Sequence, residues 1–581
     1  MSIVSGKDWH ELPFPIAAGK LIDIRNELRA KNLHDTEEPP FEMTTSPAPA
    51  EAHATRTNDG THNDLRCPRM GSAGVRFGRN VALAETFPDV ANLMNPNPRR
   101  VSLELLTRTE FQPATIINVL AAAWIQFQVH DWFMHRKGSW DRTHDIPVAA
   151  GDSWPENPMR VPVTLPDLPK VENSTRPPAY TNENSHWWDG SQVYGSTTAQ
   201  QAALRLGRDG KVRVGVDGRL GIDAESGLEI TGFTENMWVG LSVLHGLFAL
   251  EHNAICDMLR KQNVHWDDER LFQTARLVNA ALLAKIHTVE WTPAILPNPV
   301  TAQALRTNWH GLLGSLQKVI EPLNDNELLG GIPGSPTDHH TAPYSLTEEF
   351  VAVYRMHPLM PDDYTIKSHT TGAALGQFTL PQMSGRAARE VTGKFAPADL
   401  FYSFGTSHPG AVRLHNYPKH LQNLTQDNGA RFDIGTIDIL RDRERGVPRY
   451  NRFRELFHKP AVKSFEELTD NPQWAEEIRR VYDNDLSKVD LMVGLMAEPL
   501  PKGFGFSETA FRVFILMASR RLKSDRFLSK DYRPEIYTKQ GFTWVEETSM
   551  IDVLTRHFPT LAPAMKGVEN AFQPWRGVGG K

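Results

Sequence analysis

Three short segments combine side chains that could do chemistry. In WIQFQVHDWFMH (124–135), Gln126 and His130 lie four residues apart and share one helical face, while Asp131 is rotated off that face and can serve another site. A lone histidine on an apolar helix is usually a core residue. Here a glutamine one turn back and an adjacent carboxylate also need a reason. In SHWWDGSQVYGS (185–196), Ser185, Asp189 and Ser191 offer oxygen atoms at alternating or nearly alternating positions, with backbone carbonyls between them. Hard oxygen donors in that pattern suit Ca2+, although the segment alone reads as an aromatic-rich turn before a helix. In EEFVAVYRMHPLMPD (348–362), Tyr354 and His357 are three apart on one helical face. A histidine there could ligate iron from below, and a phenol beside the ring edge could lose an electron to an oxidised haem. The plainer alternative is a helix end whose histidine suits the dipole.

Helices must position these residues. Apolar residues recur at helical spacing over 114–135, 237–262, 269–292, 345–357, 471–484 and 507–526. Ser345 and Glu348 form a capping-box pattern opening the fourth, and Pro358 should end it at or near His357. Strand signals are few: 212–215 and 228–232. Residues 35–65 are polar and read as an exposed linker after a short helix at about 16–32. A run with Pro147, Pro155, Pro158, Pro162, Pro166, Pro169, Pro177 and Pro178 reads as a long surface excursion without regular structure. The expected architecture is mainly α: an N-terminal arm over 1–65, then one large helical catalytic domain over 66–581.

Composition narrows the function. Hydrophobic residues make up 40% and charged ones 23%, so a core able to enclose a cofactor is available. A net charge of -6 and the lack of a basic, aromatic-interleaved stripe argue against a nucleic-acid partner. Cys67 and Cys256 are the only cysteines, which excludes a disulfide framework or a cysteine-rich metal site and fits a reducing, cytoplasmic setting. Asp8, His10 and Glu11 interrupt any signal-peptide core. The apolar stretch 116–129 is too short to span a bilayer. The segment LPFPIAAGKLIDIRNELRAK is expected to pack on the protein, with weak peripheral membrane contact as the alternative. Nothing points to an obligate protein partner. GSAGVRFGRN (71–80) lacks the Lys-Ser/Thr ending of a phosphate loop.

Taken together, the three segments resemble the animal-type haem peroxidase–cyclooxygenase superfamily, and within it the fatty-acid α-dioxygenases. The carriers are WIQFQVHDW, KIHTVEWT (285–292), YSLTEEFVAVYRMH (344–357), RDRERGVPRYN (441–451), LMVGLMAE (491–498) and SETAF…RRL…DRF (507–527). They occur in family order over roughly residues 75–570. The resemblance implies a helical peroxidase-like fold, haem b and Ca2+. It makes His130 the distal histidine with Gln126 beside it, His357 the proximal iron ligand, Asn416 the partner of that ring's other nitrogen, and Tyr354 the radical residue. Asp131, Ser185, Asp189, Ser191 and the Trp187 carbonyl would bind Ca2+, Ser185 standing where relatives carry threonine. Arg521 would anchor the carboxylate of a long-chain fatty acid, helped by His287 and Thr292, since an arginine presents two parallel donors. The implied reaction uses a peroxide activator and dioxygen: a Tyr354 radical takes hydrogen from carbon 2, dioxygen adds, and a 2-hydroperoxy acid results.

The main rival is a peroxidase of small donors. Counting back without gaps from the EHN at 251–253, the place of the peroxidases' distal arginine falls near Thr234, and that of their haem-linking glutamate near Met237. Losing that arginine weakens heterolysis of hydrogen peroxide. Two cysteines exclude the cysteine-rich module usual in cyclooxygenases, and the chain leaves no room for a diol synthase's second domain. A lipid-binding protein without catalysis would not need Tyr354, His357 and His130 together.

Overall fold

A computed structural model describes residues 8–167, 174–225, 227–312, 326–426 and 429–578. It is 46% helix and 8% strand, and one continuous apolar core runs from Trp9 to Trp575. Local sequence explains the helices that matter. Val119–Trp132 starts where the Asn118 side chain accepts the Ala121 amide, and twelve of its fourteen residues are buried. A helix apolar all round is a central one. Val239–Gln262 is long and apolar enough to cross a membrane, yet 83% of that window is buried within the fold. Asp268–Ile286 is capped by Asp267, and Glu508–Ser524 by Ser507.

Several expectations need correction. The helix expected over 269–292 does not run on uniformly: His287–Trp291 is a π-helical turn, followed by Thr292–Ile295. The helix expected over 345–357 is only Glu348–Val353, and its N-cap is Thr347, which accepts the Phe350 amide, not Ser345. Tyr354 is the C-cap, and His357 opens a separate 3-10 turn with Pro358. The two residues therefore do not share a helical face. The expected strands at 212–215 and 228–232 contribute single bridges only, Arg205–Val212 and Ile222–Glu229. Instead, three two-stranded antiparallel hairpins form: Thr143–Ile146 with Met159–Pro162, Asp363–Lys367 with Ala374–Thr379, and Leu424–Thr425 with Arg431–Phe432. The first occupies part of the proline-rich run, of which Pro169 lies outside the described residues. The polar 35–65 stretch is tied to the body, since Arg56 and Asn63 are buried and bond to Asp525. The N-terminal helix Phe14–Lys31 packs Ala17, Leu21 and Leu28 into the core, and Arg25 and Arg29 pair with Glu327.

Candidate active site

Near its C-terminal end, Val119–Trp132 presents His130, which is 4% exposed and lies with its ring 4.1 Å from that of Phe233. Its Nδ1 is enclosed without a partner, which leaves Nε2 as the open ring atom. Burial lowers its pKa to about 3, so the ring is neutral. Gln126 accepts the Trp238 indole N–H at 2.8 Å.

His357 sits on the separate turn, its side chain 38% exposed. Its Nδ1 meets Asp438 Oδ2 at 2.7 Å. Burial alone would raise the Asp438 carboxyl, but His357 and Arg355 pull it down to about 2. A carboxylate only accepts, so the proton is on Nδ1 and the Nε2 lone pair is free. Arg355 and Tyr417 donate to the same carboxylate at 2.7 and 2.9 Å. Asn416, expected in this role, does not reach His357. Its oxygen takes Arg108 Nε and the Gln112 amide, and its nitrogen donates to the Gln112 and Ala411 carbonyls. That exhausts a carboxamide.

Tyr354 lines a cavity with Trp132, Trp188, His287, Thr292, Phe350 and Arg521. Its ring stands 5.1 Å from Trp132, edge to face, and burial keeps its phenol neutral by raising its pKa. Arg521 is 1% exposed, and none of its three guanidinium nitrogens has a hydrogen-bond partner. The indole nitrogens of Trp132 and Trp188 are equally unpartnered. The three enclosed guanidinium nitrogens of Arg521, a residue that lines the cavity, make it a place for an anion. His287 joins them. Trp124 donates to its Nδ1 at 3.3 Å, and burial with Arg521 nearby lowers its pKa well below 6.5. The ring is thus neutral with its proton on Nε2, a fourth donor. The Thr292 hydroxyl donates to the His287 carbonyl at 2.8 Å, bracing the π turn.

The oxygen-bearing loop is also assembled. Ser191 N donates to Asp131 Oδ1, and Ser185 Oγ to Asp189 Oδ2. Asp131 Oδ2 and Ser191 Oγ are buried with no partner. Burial pushes the Asp131 carboxyl up to about 7. The second oxygen of Asp189 is taken by Arg56 at 3.0 Å.

Residues 55–571 match the model of the animal haem peroxidase family. The chain is 37% identical to "Alpha-dioxygenase PIOX" of Oryza sativa subsp. japonica, over 98% of this chain and 93% of that one. The chain belongs to the animal haem peroxidase family, among its α-dioxygenases. The crystal structure of the Oryza sativa fatty acid alpha-dioxygenase superposes with a TM-score of 0.91 at 36% identity, covering 98% of this chain and 94% of that one. A tyrosine-to-phenylalanine variant of that rice enzyme, crystallised with palmitic acid, gives 0.90 at 36% identity, covering 98% and 95%.

This α-dioxygenase carries residues that fit the family's haem. His357 would hold the haem iron through Nε2, with the Asp438 carboxylate on Nδ1 to orient the ring and tune its basicity. His130, buried and neutral, is a second histidine that would be available to move a proton at Nε2. Sequence reasoning brought Tyr354, His287, Thr292 and Arg521 to one cavity but missed Asp438, Trp132 and Trp188. Asp438 stands two residues before the LRDRERGVPRYN segment, a carboxylate that could have been weighed against Asn416. The indoles lie inside two of the segments singled out, each next to an acidic residue.

Proposed function

We infer that this chain catalyses haem-dependent α-dioxygenation of long-chain fatty acids to 2-hydroperoxy acids, with Tyr354 as the hydrogen-abstracting residue. The observation that carries this is a buried guanidinium with no partner, in the same cavity as a neutral buried phenol. When bound and activated by a peroxide, haem supplies the one-electron oxidant that turns the phenol into a phenoxyl. His130 accepts the peroxide proton at Nε2. Arg521 and His287 Nε2–H hold the substrate carboxylate, which fixes carbon 2. The Tyr354 oxygen takes a hydrogen atom from that carbon, dioxygen adds to the carbon radical, and the peroxyl takes the hydrogen back. Phe350, Trp132 and Trp188 keep water away. In this closed form the cavity offers about 20 Å3, room for a water, so an acyl chain enters only as side chains part. The peroxidase alternative is disfavoured by 231–238 (TGFTENMW), which borders His130 through Phe233 and holds no arginine. Oxygen uptake with palmitic acid, read with product mass spectrometry, tests the reading. A 2-hydroperoxy acid or an aldehyde one carbon shorter supports it; phenol oxidation without uptake refutes it.

We further propose Ca2+ in the loop. Asp131, Asp189, Ser185, Ser191 and the Trp187 carbonyl are hard oxygens, and the unpartnered Asp131 Oδ2 and Ser191 Oγ await a cation. Tb3+ luminescence sensitised by Trp187 and Trp188, and lost in Asp131→Asn, checks this; no sensitisation refutes it. Buried, unpaired Cys67 and Cys256 support a cytoplasmic setting. Phe14 and Ile16, each 45% exposed, support weak peripheral membrane contact.

A further inference from the structure

Arg521 is held differently from the arginines around it. Its neighbour Arg520 spends its guanidinium on the carbonyls of Ser345, His339, Ala342 and Pro343. Arg526 bonds to the Ala52 carbonyl and pairs with Asp531, and Arg56 pairs with Asp189 and Asp525. Arg521 makes no hydrogen bond of ordinary geometry, although the Tyr344 hydroxyl lies close enough to feel its charge. Aromatic rings hold it instead: its Cζ lies 4.2 Å from the ring centre of Trp188 and 4.6 Å from that of Trp132, with Phe350 at 5.8 Å. A guanidinium held by ring contacts keeps its N–H groups free.

Trp188 is in turn fixed to the helix that carries Arg521. Its backbone N–H donates at 3.3 Å to Asp525, the C-cap of Glu508–Ser524. Asp525 is locked by Arg56, which also grips Asp189, the residue after Trp188. The backbone that carries the indole thus cannot drift from this helix without breaking a buried ion-pair network.

We propose that Trp188 is a positioning residue for the substrate carboxylate, acting through Arg521: its indole sets the guanidinium in place without using any of the donors the carboxylate needs. This rests on the fatty-acid reading above and assigns a job to a side chain of the 185–191 loop. Trp132 shares the task but also touches Tyr354, so Trp188 is the cleaner probe.

The test compares Trp188→Leu and Trp188→Phe in the haem-loaded protein, using palmitate-induced thermal shift for binding and oxygen uptake for turnover. Trp188→Leu should raise both the palmitate Kd and KM about tenfold, with kcat moving less than threefold. Trp188→Phe, which keeps an aromatic ring, should recover Kd to within about threefold. A Leu variant that binds palmitate as tightly as wild type overturns the proposal. So does a loss confined to kcat in both variants, the mark of general disturbance. If the Leu variant fails to hold haem, Trp188→Met fills more of the space without a ring and takes its place against Phe. A wild type that binds palmitate without consuming oxygen sinks the oxygenase reading alone; one that does not bind it sinks both.

Discussion

Replacing Arg521 with methionine should damage function while leaving the fold intact. A carboxylate held by two charge-assisted hydrogen bonds gains roughly 1.5–3 kcal/mol from each. Their loss should cost about 3–6 kcal/mol, two to four orders of magnitude in kcat/KM for palmitate. Truncating a paired buried arginine ordinarily destabilises a protein by about 3–5 kcal/mol, because a partner charge is stranded. Here no hydrogen-bonded partner is stranded, since all three nitrogens are unbonded; the buried Asp131 carboxyl loses the attraction of the nearby guanidinium, but burial already pushes it toward its neutral form. What is lost is ring contact with Trp188 and Trp132, about 0.5–2 kcal/mol each. What is gained is relief from burying an unpaired cation, a cost of several kcal/mol. Methionine keeps much of the packing and a favourable sulfur–aromatic contact. The substrate-free melting temperature should therefore stay level or rise. Palmitate at a hundred times its Kd should stabilise wild type by about 2.7 kcal/mol and the variant not at all. Thermal unfolding followed by circular dichroism, with and without palmitate, reads both effects. A variant that melts several degrees lower, or still gains stability from palmitate, would show that Arg521 is a structural residue.

Tyr354→Phe should abolish oxygen uptake while leaving haem bound and some peroxidase turnover; equal loss of both activities would remove the radical role. Asp438→Asn takes the anionic acceptor from His357 Nδ1 and should raise the haem reduction potential by tens of millivolts, about 59 mV for each tenfold change in relative ferrous stability. An unchanged potential by spectroelectrochemistry would mean that the carboxylate does not tune the iron. Glu290, in the π turn beside His287, has its carboxyl pushed up to about 7 by burial, above its unfolded value. A raised group contributes stability below its unfolded pKa and loses it as pH rises through the folded one. Glu290→Gln should accordingly be more stable than wild type above pH 7, with the advantage fading on acidification toward pH 4.5; a pH-independent difference in denaturant midpoints would contradict this.

Local signals made the helices legible: the Asn118, Asp267 and Ser507 caps each open a helix where the apolar period begins. Features that depend on tertiary contact were not. The π turn at His287–Trp291 interrupts a stretch whose apolar spacing looks uniformly helical; the Thr292 amide and hydroxyl, both donating to the His287 carbonyl, mark it. The helix expected over 345–357 stops early because Met356 N turns back to the Tyr354 carbonyl, which spacing and Pro358 do not reveal. The hairpin at 143–162 hides behind prolines confined to its turn and end. For the site, His130, His357, Tyr354 and Arg521 stand inside segments distinctive enough to be read. Asp438 meets His357 across 81 residues of chain, and Asn416 looked suitable until Arg108 was seen to occupy its oxygen.

The order of residues in VHDW explains how one helix end serves three sites. Successive helical residues point about 100° apart. His130 turns its ring toward Phe233. Asp131, one step round, meets the Ser191 amide of the oxygen-bearing loop. Trp132, the next, stands edge to face with Tyr354 and His287, each at 5.1 Å, and under the Arg521 guanidinium. A shift of this helix by one residue would misplace all three at once. That demand for register accounts for the burial of polar His130 and Asp131 in an otherwise apolar helix. It also accounts for the firmness of the helix's ends: Asn118 caps the start while its amide holds the Ala571 and Gln573 carbonyls, and beyond the finish Asn184 donates to the His130 carbonyl and Asn182 to that of Trp132. The surroundings of His130, Asp131 and Trp132 are thus set relative to one another by a single rigid element.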